Sequence, residues 1–159
     1  MIDGPYVVAA LICEKVLTEQ DGVPSAIRIV DRINVQPIQE SYPNATSPIR
    51  PAAVPMLSLF IGLKGGGLKQ TSVVVDLVAP SGRLAQVATA QVRFNTENEG
   101  ANIYVQFLPG FNELGLHWFD IKCDGRLVTR TPLEVVALRE SQPSESPNSS
   151  SPGAGDVRH

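Results

Sequence analysis

Leu116-His117-Trp118-Phe119-Asp120-Ile121-Lys122-Cys123-Asp124-Gly125 is the stretch whose reading decides the fold. Phe119, Ile121 and Cys123 alternate with Trp118, Asp120 and Lys122, a two-residue period that sorts side chains onto one apolar and one wetted face of a strand. Asp124-Gly125 then supplies two residues that tolerate positive φ, as a tight hairpin turn requires. Leu127 to Thr129 and Leu133 to Leu138 follow as two further strand segments.

The same alternation recurs upstream. Ser25 to Val35 places Ile27, Ile29, Ile33 and Val35 on one face against Arg28, Arg32 and Asn34. Asp31 falls on that apolar face, and a β-bulge that rotates it outward is the expected remedy. Thr71 to Ala79 lines up Val73, Val75 and Leu77 and stops at Pro80-Ser81-Gly82; Leu84 to Phe94 and Ala101 to Leu108 repeat the pattern. Tyr6 to Thr18 is apolar on both faces, as a central strand is, and Asp21-Gly22 joins it as a hairpin to Ser25 to Val35. Ala53 to Leu63 is one more strand, with Gly65-Gly66-Gly67 read as a flexible hairpin tip. Short strands at this spacing predict an all-β antiparallel sandwich over residues 1–139 rather than a βαβ protein.

Two segments stand apart. From Gln36 to Pro55 five prolines exclude a helix or a central strand, so a long connection is expected there. Residues 140–159 hold six Ser, three Pro and two Gly, with Ala154 and Val157 as the only aliphatics. Such a composition cannot offset its ordering entropy, which predicts a disordered C-terminal tail.

Pro80-Ser81-Gly82, the strands after it, and Gly115-Leu116-His117-Trp118-Phe119 leading into Asp124-Gly125 resemble the C-terminal half of immunoglobulin-like sandwiches. With Leu11-Ile12-Cys13-Glu14 near the start, residues 5–138 resemble a bacterial family of uncharacterised proteins with that fold. The resemblance implies the fold and no activity. Such domains often carry Tyr two residues after the glycine of this motif, where this chain has His117, so a tyrosine corner is not expected.

Chemistry is sparse. Gly62 and Gly67 have the spacing of a phosphate-binding loop, but Leu68 precedes Lys69 and a strand follows where that motif needs a helix. A Cys–His nucleophile pair could in principle be built from Cys13 and His117, with Asp31 or Asp120 as orienter, but both lie within apolar strands. Buried reduced thiols are the expectation for Cys13 and Cys123, with an inter-sheet disulfide as the alternative. No Cys-x-x-Cys or His pair at ligand spacing occurs, so neither metal nor cofactor is expected. A net charge of −3 argues against bulk attraction to nucleic-acid phosphates. No apolar run approaches membrane-spanning length, and the acidic start does not fit a secretory signal, which together predict a cytoplasmic protein. The sequons at Asn44 and Asn148 then carry no weight.

What remains is binding. Tyr42, Ile49 and Arg50 in the Pro-rich segment and Phe111 in Pro109-Gly110-Phe111 are the candidate contacts with a protein partner, since aromatic and Arg side chains anchor interfaces. Phe111 has a second reading, as a plug for one end of the sandwich. A non-catalytic binding or accessory domain is the expected function. A structural subunit of a larger assembly, pairing through its edge strands, is the alternative, and an enzyme comes third.

Overall fold

The computed structural model describes residues 4–37, 49–51, 56–108 and 110–138, and the side chains of 36, 37 and 49–51 are not among what it describes. The regular elements among them are all strands: β1 (Tyr6–Thr18), β2 (Pro24–Ile29), β3 (Arg32–Pro37), β4 (Ile49–Pro51), β5 (Leu57–Lys64), β6 (Gln70–Val78), β7 (Leu84–Arg93), β8 (Gly100–Phe107), β9 (Gly115–Cys123) and β10 (Arg126–Ala137). They form two sheets, one ordered β2-β1-β5-β8 and one ordered β4-β3-β10-β9-β6-β7. The expected tail, residues 140–159, lies outside the described residues.

The alternation in the sequence is the alternation of the core. Val73 and Val75 of β6, Phe119 and Ile121 of β9, and Leu133 and Val135 of β10 face Ile12 of β1 and Leu57, Leu59, Ile61 and Leu63 of β5. Each fully buried aliphatic contributes about 1.5–3 kcal/mol. On the outer face of the larger sheet, polar residues pair across strands: Lys122 with Asp76 at 2.7 Å, and Arg130 with Asp120 at 3.0 Å. The hairpins predicted at Asp21-Gly22 and Asp124-Gly125 form. Asp124 (φ 48°) and Gly125 (φ 80°) make the β9–β10 turn with two left-handed residues, as a type I′ turn does. The Asp124 carboxylate also accepts hydrogen bonds from Thr71 Oγ1 and Ser72 N, tying that turn to β6.

Five expectations need correction. Ser25 to Val35 is two strands in different sheets, not one. Arg28 takes a left-handed φ of 53° and β2 ends at Ile29; Val30 N donates to Ile12 O, and Glu134 N donates to Asp31 O. The chain thus passes between sheets at Val30-Asp31, and Asp31 reaches solvent by that crossing. Ile29, which the pattern placed inside, is 67% exposed.

Gly65 to Gly67 is not a flexible hairpin tip, because β5 and β6 belong to different sheets. It is a packed corner: a Cβ on Gly65 would lie 2.8 Å from the Phe94 ring, and one on Gly66 would run into the Tyr6 ring. Residues 126–137 form one strand rather than two, with a register shift between Leu127 and Thr129. Pro132 is tolerated because β3 first pairs at Glu134, so its missing N–H faces no ladder. The sandwich is not wholly antiparallel, since β3 runs parallel to β10. Finally, the Pro-rich segment is not only a connection. Residues 49–51 pair with 35–37 as an edge strand, a position where a proline is tolerated.

Candidate functional site

Tyr42 lies outside the described residues. Ile49 and Arg50 are in β4, opposite Pro37 and Gln36. Phe111 is corrected as a partner contact: it is only 3% exposed, and its ring meets that of His117 edge-on at 4.7 Å between centroids. It plugs the end of the sandwich, the second reading the sequence allowed.

The Cys–His pair does not assemble. Cys13 is on β1 of the smaller sheet, opposite Ser58, and donates from Sγ to the Lys15 carbonyl at 3.4 Å. His117 is on β9 of the larger sheet, and its Nδ1 lies 3.2 Å from the Gly115 carbonyl, which fixes the proton on that nitrogen. Asp120 is committed to Arg130, and Asp31 sits exposed at the sheet crossing. Cys13 and Cys123 are both free and buried, and burial pushes both thiols above their ordinary pKa, away from the reactive thiolate. Among the described residues no cluster of His, Cys, Asp or Glu is arranged to hold a metal ion, and no helix is long and apolar enough to cross a membrane.

A pit of about 380 Å³ opens beside this plugged end, lined by Leu77, Ala79, Arg83, Phe111, Asn112 and His117. Burial lowers the His117 pKa, so the ring is held neutral. At its rim Glu113 accepts hydrogen bonds from Ser81 N and Oγ and pairs with Arg83 at 3.6 Å. Those bonds hold the Glu113 carboxyl below its usual range. The His117 Nδ1 is engaged by the Gly115 carbonyl and its ring packs on Phe111, so the pair fills this end of the sandwich.

The edges of the sheets are more informative. An edge strand displays unpaired N–H and C=O groups, and proteins guard it with proline, charge, shortness or a bulge. β2 begins at Pro24 and carries the left-handed, charged Arg28. β4 is three residues long and ends in proline. β7 is interrupted by a bulge: Val75 pairs with Ala88 and Asp76 with Gln86, leaving Val87 unpaired. β8 has none of these. Its eight residues, Gly-Ala-Asn-Ile-Tyr-Val-Gln-Phe, contain no charge and no proline, and all eight pair with β5 without a register shift.

Between β8 and the β6–β7 pair the sandwich is open. A cleft of about 290 Å³ is lined there by Val73, Val75, Ala88, Ala90, Ile103 and Val105. Ile103, Val105 and Phe107 of β8 are only half-buried against the core. On the other face of β8, Tyr104 is 43% exposed and stacks on Phe60 at 5.8 Å. Sequence reasoning missed this edge because an uncharged run reads equally well as a central strand; β5 is nearly as uncharged and lies in the middle of its sheet.

Comparison with known proteins adds no relative: no family model, no curated protein and no solved structure matches this chain.

Proposed function

We propose that this chain is a non-catalytic binding domain of immunoglobulin-like architecture that makes its contact by strand addition at the outer edge of β8. The observation that carries the reading is that β8 alone among the described edges is long, straight, uncharged and unguarded. An extended segment laid along it would gain main-chain hydrogen bonds, and its alternate side chains would enter the apolar cleft below. The pairing of β5 with β8 in one sheet, and the order β10-β9-β6-β7 in the other, support the immunoglobulin-like part, since variable-type sandwiches keep such a division. The scattered positions of Cys13, His117, Asp31 and Asp120 support the non-catalytic part. Two free thiols support a reducing, cytoplasmic setting. A subunit of a larger assembly is the second reading, favoured by the same bare edge.

Hydrogen exchange tests the contact. A synthetic eight-residue peptide of alternating Thr and Val should slow exchange at outward-facing amides of residues 100–107 and leave β2, β4 and β7 unchanged. Unaltered exchange along β8, both with the peptide and on concentrating the protein alone, would overturn the reading.

A further inference from the structure

The occupant of the β8 edge can be read from the strand itself. We infer that β8 pairs antiparallel with β8 of a second copy of this chain, about a twofold axis through Tyr104. The inference rests on the strand-addition reading and names its partner.

In an antiparallel pair, residues directly opposite share a face of the sheet. A twofold centred on Tyr104 sets Ala101 opposite Phe107 and Ile103 opposite Val105 on the core side. Asn102 then faces Gln106, and Tyr104 faces its own counterpart, on the outer side. Each pairing is favourable. The smallest core-side residue meets the largest, two β-branched residues meet each other, and two amides of complementary donor and acceptor capacity come together. The Phe60–Tyr104 stack, with centroids 5.8 Å apart, would continue across the axis as a run of four rings. The edge is also electrically suited to itself. With no Asp, Glu, His, Lys or Arg in β8, pairing two copies sets no like charges opposite each other. The half-buried Ile103, Val105 and Phe107 would each gain cover from the other copy. The product is a continuous eight-stranded sheet, closed by symmetry, whose remaining edges are the guarded β2 strands.

Light scattering on a sizing column tests it. Wild type should run at twice the chain mass. Asn102→Lys with Gln106→Lys places ammonium groups opposite each other at two positions and should weaken the dimer about tenfold or more. Both residues are exposed, so the urea midpoint should stay near that of wild type. Asn102→Glu with Gln106→Glu should dissociate likewise, and mixing the two variants should restore a dimer. Independently of these, Tyr104→Cys should cross-link between copies on mild oxidation and Asn102→Cys should not, because only residue 104 meets itself. A monomeric wild type, a dimer indifferent to both charge variants, or equal cross-linking from both cysteine variants would overturn the inference. A monomeric wild type in which the Thr–Val peptide still protects residues 100–107 would overturn self-pairing alone and leave strand addition standing.

Discussion

β2 and β8 end the same four-stranded sheet, yet one carries a proline and a left-handed charged residue that stop a sheet from growing and the other carries neither. β2 opens on Pro24, bends at the left-handed Arg28, and hands the chain to the other sheet two residues past its end. β8 runs eight residues in unbroken register beside β5 and keeps only half-buried apolar side chains beneath it. The fold does not dictate this difference, since both strands occupy equivalent edges. It is written in a few side chains, and it separates the edge that ends the molecule from the edge that invites another.

The largest effect that would disturb this contrast is at the corner where β8 is set against β5. Gly65 N donates to Glu99 O just before β8 begins, and a Cβ at Gly65 would meet the base of the buried Phe94 ring at 2.8 Å. Gly65→Ala should therefore cost about 1–3 kcal/mol in urea unfolding, as overpacking of a tight site does. Gly110→Ala, where nothing lies within 4 Å and the backbone is not left-handed, should stay within about 0.5 kcal/mol. Equal costs would show that the corner is loose and that β8 owes its register to something else.

A smaller effect separates the plugged end from the bare edge through pH. Burial depresses the His117 pKa below its ordinary 6.5, with Glu113 opposing and Arg83 reinforcing the shift. The unfolded chain therefore binds a proton at His117 before the folded chain does. Stability contributed by the neutral ring is complete above pH about 6.5 and is lost as the pH falls through that value toward the lower folded one. Glu113 and Asp124, whose carboxyls are held low by hydrogen bonds, weaken the fold only at more acidic pH. His117→Gln should flatten the upper part of this slope in urea midpoints measured across the range. Association through β8, which carries no Asp, Glu, His, Lys or Arg, should not follow it. A slope unchanged in the variant would move the titration away from His117.

Much of the fold was legible in the sequence, because a two-residue period and a burial face are the same statement when one side of a sheet is dry. Phe119, Ile121, Val73 and Val75 are the clearest cases. The reading failed where a local pattern is compatible with two topologies. Ile27 and Ile29 continue the alternation of Ile33 and Val35, and nothing in the letters shows that Arg28 turns left-handed and that the chain changes sheets. Gly65 to Gly67 look the same as a tip or as a corner, since glycine permits both and only the approach of Phe94 and Tyr6 decides. The candidate site was less legible. Phe111 was correctly seen as a plug in one of its two readings, whereas an edge is defined by the strand that is missing beside it, and absence leaves no residue to read.

The smallest expected effect sharpens the comparison of β2 with β8, because it asks which of the guards on β2 matters. Arg28 contributes two at once: a left-handed φ of 53° that bends the strand, and a charge paired with Glu14 at 3.2 Å. Arg28→Gly keeps the bend and removes the charge. A non-glycine residue in the left-handed region costs about 1–2 kcal/mol, which the substitution relieves. Glycine in turn raises the entropy of the unfolded chain, by about 0.5–1 kcal/mol. The ion pair adds little to either side, since the Arg28 side chain is 76% exposed and such pairs are worth about 0–1 kcal/mol. These terms nearly cancel, and the change in stability should be under about 1 kcal/mol by urea unfolding. The informative reading is association. If the bend is the guard, β2 stays unpaired and light scattering finds the variant at the mass of wild type. Growth beyond that mass would show that charge, not backbone shape, keeps β2 from doing what β8 is built to do.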